Sequence, residues 1–210
     1  MLFLDATLQQ QIGLVVALVA GITFHEFSHA LVADQLGDHR PRALGRISLN
    51  PVRHFEPMGA LLFLIAGFGW GKPVPVNAYA LRSGRTSMTL VALAGPLANV
   101  ALAATMAVAF RGLQLAGLLE ADLARGVLAN VVYFNVVLGL FNLIPIPPLD
   151  GYNVVLPLLP PRQAFAVQRY ANYGVLLLLL LLMLSYVGSV SPLRWLFDLA
   201  GSITGFMLGA

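Results

Sequence analysis

The run His25-Glu26-Phe27-Ser28-His29 places two imidazoles four positions apart, with a carboxylate directly after the first. On a helix, positions i and i+4 share a face, so both rings can reach one metal ion. Glu26 stands where it can take a proton from a water on that ion. Zinc with one open coordination position lowers the pKa of such a water to about 7, which makes the pattern one for hydrolysis. A catalytic zinc usually takes three protein ligands plus the water. The chain has 0 cysteines, so no thiolate can serve, and the third ligand must be another His, Asp or Glu. Asp150 is the best candidate, because it follows an apolar run and closes a proline-rich break, Pro145-Ile146-Pro147-Pro148-Leu149-Asp150-Gly151. On local sequence alone, Asp150 fits an ordinary turn aspartate at a membrane surface equally well.

The residues around this pattern make lipid the solvent for most of the chain. Of 210 residues, 59% are hydrophobic and 10% charged. A soluble domain carries roughly a quarter charged residues, so there are too few here to coat a surface facing water. The mean hydropathy of +0.83 agrees. Three ionisable groups in five residues at membrane depth cost a few kcal/mol each on insertion scales, a burden that needs a partner such as a metal. The net charge of +3 and pI near 9.6 could suggest nucleic acid. The arginines, however, cluster in short loops between apolar runs, the positive-inside pattern, and nucleic acid is not an expected partner.

Stepping along the chain predicts an all-α, polytopic transmembrane helix bundle of about five to six spans in one domain over residues 1–210. Residues 8–36 form the helix carrying the His-Glu-x-x-His pattern, retained in the membrane rather than removed as a leader. Residues 37–86 form a cytoplasmic and re-entrant region. Within it, Gly45–Leu49 is read as a short strand. Met58–Trp70 is apolar but short, and basic on both flanks, so it is expected to enter and leave on one side. Further spans are predicted at 87–110, at 126–151 (running into the Leu149-Asp150-Gly151 loop), at 172–187 and at 191–210. Arginine placement puts the loop after the first helix, and that around Arg162 and Arg169, in the cytoplasm, with the N-terminus outside.

His-Glu-Phe-Ser-His-Ala in the first helix, Leu93-Ala-Gly-Pro-Leu-Ala-Asn99 and Asn142-Leu-Ile-Pro-Ile-Pro-Pro-Leu-Asp-Gly151 occur in the order and spacing of the site-2 protease family of intramembrane zinc metalloproteases, which the chain resembles from about residue 10 to 190. Gly69-Trp-Gly-Lys-Pro-Val-Pro-Val-Asn77 is similar to a segment of its small bacterial members. The resemblance implies that His25, His29 and Asp150 bind Zn²⁺ and that Glu26 is general base, then proton donor to the leaving amine. It implies that Asn142 lies near the scissile peptide, and that Asn99 with Gly95-Pro96 shapes the helix beside the site. It also implies a multi-pass cell membrane protein of the bacterial inner membrane, with its active site toward the cytoplasmic side and transmembrane proteins as substrates. Many relatives carry a PDZ domain between the second and third motifs, or a nucleotide-sensing domain after the last. The loop Arg111–Arg125 is too short for a domain, so gating is expected to rely on a regulatory partner or on the re-entrant segment.

Other polar residues have plainer readings. His54 is read as an interfacial histidine without a metal role and His39 as an exposed loop residue. Asn130 and Asn135 are read as interhelical hydrogen-bonding groups. Pro73, Pro75 and Asn77 suit either a rigid interfacial loop or an extended edge on which an unwound substrate could pair. The competing functional class is a non-catalytic metal-binding membrane protein, either a transporter or a pseudoprotease scaffold. An intact Glu26 disfavours the scaffold, and the lack of ionisable groups on several spans disfavours the transporter.

Overall fold

The computed structural model describes residues 7–59, 71–187 and 191–209. Its helices are α1 (Leu8–Gln35), α2 (Arg40–Ala43), α3 (Gly84–Leu115), α4 (Asp122–Asn142), α5 (Asp150–Val155), α6 (Pro161–Arg169), α7 (Gly174–Val187) and α8 (Arg194–Leu208). Single 3-10 turns lie at Pro51–Arg53, Leu156–Leu158 and Ala171–Tyr173. No strand occurs among the described residues.

Helix α1 starts on a reciprocal cap in which the Gln10 N–H donates to Thr7 Oγ1 and the Thr7 N–H to Gln10 Oε1. It stops at Gly37, whose φ of 114° suits a residue without Cβ. There the Gly37 N–H reaches Asp34 O at 3.1 Å and the Asp38 N–H reaches Ala33 O at 3.0 Å, closing the helix with a Schellman motif. Arg40 and Arg42 follow, near the negative end of the helix dipole.

Helices α1, α3 and α4 pack against one another in a three-helix core. Each is long and apolar enough to cross a membrane. α1 has 28 residues, about 42 Å of helix, against a hydrocarbon core of about 30 Å. α8 packs across α3 and α4 around Ala103, Ala107, Val132, Val136 and Ala200. Small residues let the backbones approach closely, which matters in lipid because association there rests on van der Waals contact and hydrogen bonds rather than on escape from water.

The span count differs from the expected five to six. Three helices pass by length and composition, or four if Pro161–Arg169 and Ala171–Ser185, bent by 44°, form one span. α7 has 14 residues and α8 has 15, each short of the roughly 20 that one crossing needs. The span predicted at 126–151 breaks at Asn142. The Leu143 and Ile144 N–H groups turn to carbonyls three residues back, Leu140 and Phe141, and prolines follow. The strand predicted at Gly45–Leu49 is absent. Gly45, with φ 66°, caps α2 instead, with its N–H on Arg42 O and the Arg46 N–H on Pro41 O. Residues 60–70, and with them most of the expected re-entrant segment, lie outside the described residues.

Gly21 shows how tight the core is: a Cβ there would lie 2.7 Å from Asn135 Oδ1 and 2.9 Å from Leu138 Cδ1. Exposed Gly112 has nothing within 4 Å of its would-be Cβ. Thermal unfolding of the purified protein should therefore separate two variants. Gly21→Val should lose roughly 1–3 kcal/mol through overpacking. Gly112→Ala should hold or gain up to about 1 kcal/mol through helix propensity.

Candidate metal centre

Two turns of α1 and the first residue of α5 bring three donor atoms together. His25 Nε2 and His29 Nε2 are 3.0 Å apart, and Asp150 Oδ2 lies 3.0 Å from the first and 3.2 Å from the second. Both rings are buried. Asp150 reaches them because the Pro145–Pro148 segment folds back under the end of α4. Gly151 packs so closely on this turn that an added Cβ would meet the Leu143 carbonyl carbon and oxygen.

The far side of each ring decides what the near side can do. His29 Nδ1 lies 2.7 Å from the backbone oxygen of Val91. A carbonyl only accepts, so Nδ1 carries the proton and Nε2 a lone pair. His25 Nδ1 lies 2.7 Å from Asn99 Oδ1. The Asn99 amide nitrogen donates to Gly21 O at 3.1 Å, which orients its oxygen toward His25. Both Nε2 atoms therefore present lone pairs to a carboxylate oxygen. Three such donors within hydrogen-bond distance repel one another unless a proton or a metal cation lies among them. Their separations of 3.0 to 3.2 Å lie slightly inside the edges of about 3.3 Å that four ligands would have around an ion with bonds of about 2.0–2.1 Å. Helix α3 leaves room at Gly95: a Cβ on it would stand 2.6 Å from His25 Nε2.

Glu26 is half-buried beside this group, and its Oε2 accepts the Val74 N–H at 3.2 Å. Asn142, the last residue of α4, donates its side-chain N–H to Leu138 O at 3.0 Å in its own helix. His54, read as having no metal role, is fully buried within the protein. It is bound to Ser48 O through Nε2 at 2.6 Å, outside the donor group. His39 is exposed, as expected, and pairs with Asp34 at 3.0 Å. Among the described residues Asn130 bonds within α4, to Gly126 O, whereas Asn135 bonds both Val131 O and, across the helices, Asn99. The polar partners behind the rings escape sequence reasoning. The available signal was an asparagine, Asn99, four residues after a Gly-Pro pair's first member in an apolar run.

The chain is similar to "Putative zinc metalloprotease YwhC" of Bacillus subtilis (strain 168), with 38% identity over 178 residues, 80% of this chain and 78% of that protein. It is similar to "Putative zinc metalloprotease Rip2" of Mycobacterium tuberculosis (strain ATCC 25618 / H37Rv), with 34% identity over 201 residues, 90% of this chain and 76% of that protein. The Rip2 of Mycolicibacterium smegmatis (strain ATCC 700084 / mc(2)155) is 30% identical over 217 residues, 95% of this chain and 79% of that protein. The chain belongs to this zinc metalloprotease family, as the resemblance to the site-2 proteases led us to expect. No family model and no solved structure matches it. The metal of this family is zinc, and a two-histidine, one-carboxylate set suits it.

The segment from Gly71 to Asn77 lies along the metalloprotease centre without regular structure and is pinned at several points. The Lys72 N–H donates to His54 O at 2.7 Å, and buried Arg46 donates to Arg53 O at 2.7 Å and to Lys72 O. The Asn77 N–H donates at 2.7 Å to Asp38, whose buried carboxylate also takes two bonds from Arg40 at 2.9 and 2.8 Å. Pairing with Arg40, helped by the Asn77 N–H, holds the Asp38 carboxyl down at about 2.

Two outcomes follow for this centre. Asn99→Ala should weaken zinc binding about 10–100-fold in a chelator competition, because His25 loses the acceptor that fixes its tautomer. The Asp38 latch titrates lower in the folded protein than in the unfolded chain. It contributes fully above about pH 4 and is lost as pH falls toward 2. At neutral pH, Asp38→Asn should raise hydrogen exchange at the Asn77 amide by roughly tenfold.

Proposed function

We propose that this metalloprotease hydrolyses peptide bonds within or next to transmembrane helices of other membrane proteins, inside the bilayer. The observation that carries this reading is that the donor group is built between helices long enough to span a membrane, rather than on a domain beside them. His25 and His29 lie 10 and 6 residues before the end of α1, about 15 and 9 Å along its axis. That end leads into Arg40, Arg42, Arg46 and Arg53, so the positive-inside rule supports a site toward the cytoplasmic face of a cell membrane.

His25, His29 and Asp150 would hold the zinc, which supplies Lewis acidity that polarises a peptide carbonyl and acidifies a water. Glu26 accepts a proton from the attacking water and passes it to the departing amine. The Val74 N–H holds Oε2 of Glu26 and so sets the direction in which the carboxylate presents its other oxygen. Asn142, at the mouth of α4, would hydrogen-bond the substrate backbone or the developing oxyanion with its amide once the bond to Leu138 O opens. A peptide bond in an intact helix is shielded and already hydrogen-bonded, so the substrate helix must unwind locally. An unwound strand could pair along Pro73–Asn77 chiefly through the backbone carbonyls of that stretch, since the prolines carry no N–H and those of Val74 and Asn77 are committed to Glu26 and Asp38. The bilayer is the working medium, and a regulatory partner protein is a further expected contact.

Glu26→Gln tests the reading directly. Cells expressing the parent and the variant would be compared for membrane-protein fragments, and zinc would be measured in both purified proteins. Expected is loss of fragments, on the order of 10²–10⁴ in rate, with zinc content unchanged. Equal fragments from both proteins would refute a proteolytic role.

A further inference from the structure

We infer that Asn135 is a positioning residue for the zinc centre, acting through Asn99 to hold the His25 tautomer that binds metal. The inference rests on His25 being a zinc ligand, as proposed above.

Asn99 on α3 and Asn135 on α4 are both 0% exposed. The Asn99 amide nitrogen donates to Gly21 O at 3.1 Å and to Asn135 Oδ1 at 3.2 Å. The Asn135 amide nitrogen donates to Val131 O at 2.9 Å. The chain of bonds therefore runs from a backbone carbonyl through two amides to an imidazole, and every link has a direction. An asparagine amide is almost symmetric in shape and can turn over at little steric cost. Were Asn99 to turn over, its NH₂ would face His25 Nδ1. The imidazole proton would move to Nε2, the atom aimed at Asp150 and His29, and that atom could no longer accept a metal.

Two acceptors oppose this inversion, Gly21 O and Asn135 Oδ1. Asn135 keeps its oxygen toward Asn99 only because its own NH₂ is committed to Val131 O. A carbonyl has no hydrogen to offer, so the orientation is anchored at a group whose polarity is fixed. In a bilayer no water can substitute for a lost partner, which makes inversion costly while both acceptors are present. Gly21 O alone would hold Asn99 less firmly, so the loss of Asn135 weakens the centre without abolishing it.

The test is zinc affinity of the full chain, purified in detergent, by competition with a chromogenic chelator. Four proteins are compared: parent, Asn135→Leu, Asn99→Ala and the double variant. Asn135→Leu should weaken zinc by about tenfold, at the low end of outer-partner effects. In the Asn99→Ala background the same change should have no further effect, because its route to His25 is already cut. Asn135→Asp, which keeps an acceptor facing Asn99, should stay within about threefold of the parent. An unchanged affinity in Asn135→Leu, or additive losses in the double variant, would overturn the inference and leave Asn135 as a packing residue. If Asn135→Leu does not fold, Asn135→Ala, which also removes the acceptor, replaces it under the same expectations. A parent that binds no zinc would instead defeat the reading of the centre itself.

Discussion

Three electron pairs aimed at one point need a positive charge among them, and the fold is arranged so that none of the three can turn away. His29 is held by a backbone oxygen that can only accept, His25 by an amide whose own nitrogen is tied down, and Asp150 by a turn wedged under α4. Unrelieved, these donors repel one another, and without a metal only a proton held between a histidine and Asp150 offsets that repulsion. A cation converts it to attraction, and in low dielectric that conversion is worth far more than in water. Metal binding and native packing of α1, α3, α4 and α5 are therefore coupled.

This coupling explains the use of small residues in the core. For Asn99 to reach His25 on one side and Gly21 O and Asn135 on the other, three backbones must approach more closely than ordinary side chains allow. Gly21 and Gly95 are the positions where this is most acute, each leaving less room than a methyl group needs. A soluble enzyme could fill such gaps with water and still satisfy its polar atoms. Inside lipid, each buried amide must find a protein partner, and the Asn99–Asn135 pair meets that demand while fixing the direction of every bond.

The sequence makes the histidine pair legible because helical periodicity alone puts positions 25 and 29 on one face. α1, α3 and α4 are legible for a similar reason, since apolar runs of such length have few alternatives. Asp150 is different. It lies 121 positions from His29, and local sequence cannot tell a turn aspartate from a donor, so family resemblance was needed to single it out. The misread segment, Gly45–Leu49, shows a limit of another kind. Its alternation of apolar and polar residues suits a strand, but Gly45 closes α2 in a left-handed conformation, and Arg46 turns inward to bind the carbonyls of Arg53 and Lys72. That outcome depends on residues 7 and 26 positions away, beyond the reach of any local pattern. Asn135 was readable as a polar group bonding between helices, but the direction of its bonds becomes visible only with the neighbouring carbonyls in place.

The 71–77 segment ties these strands of the structure together. It must be extended, because Pro73 and Pro75 restrict both themselves and the residues before them to extended conformations. Val74, caught between the two prolines, keeps its one N–H and spends it on Glu26. The anchors at either end run from the Lys72 N–H to the backbone oxygen of buried His54 and from the Asn77 N–H to the buried Asp38 carboxylate, the second being charge-assisted, and they sit on the polar region that follows α1. The Glu26 carboxylate, the proposed proton carrier, is thus held by a segment fastened outside the helical core, while the three candidate metal donors are held from within it. A displacement of the loop region would reorient Glu26 and leave the donor triangle intact. The orientation of Glu26 and the geometry of the donor triangle therefore rest on separate parts of the fold.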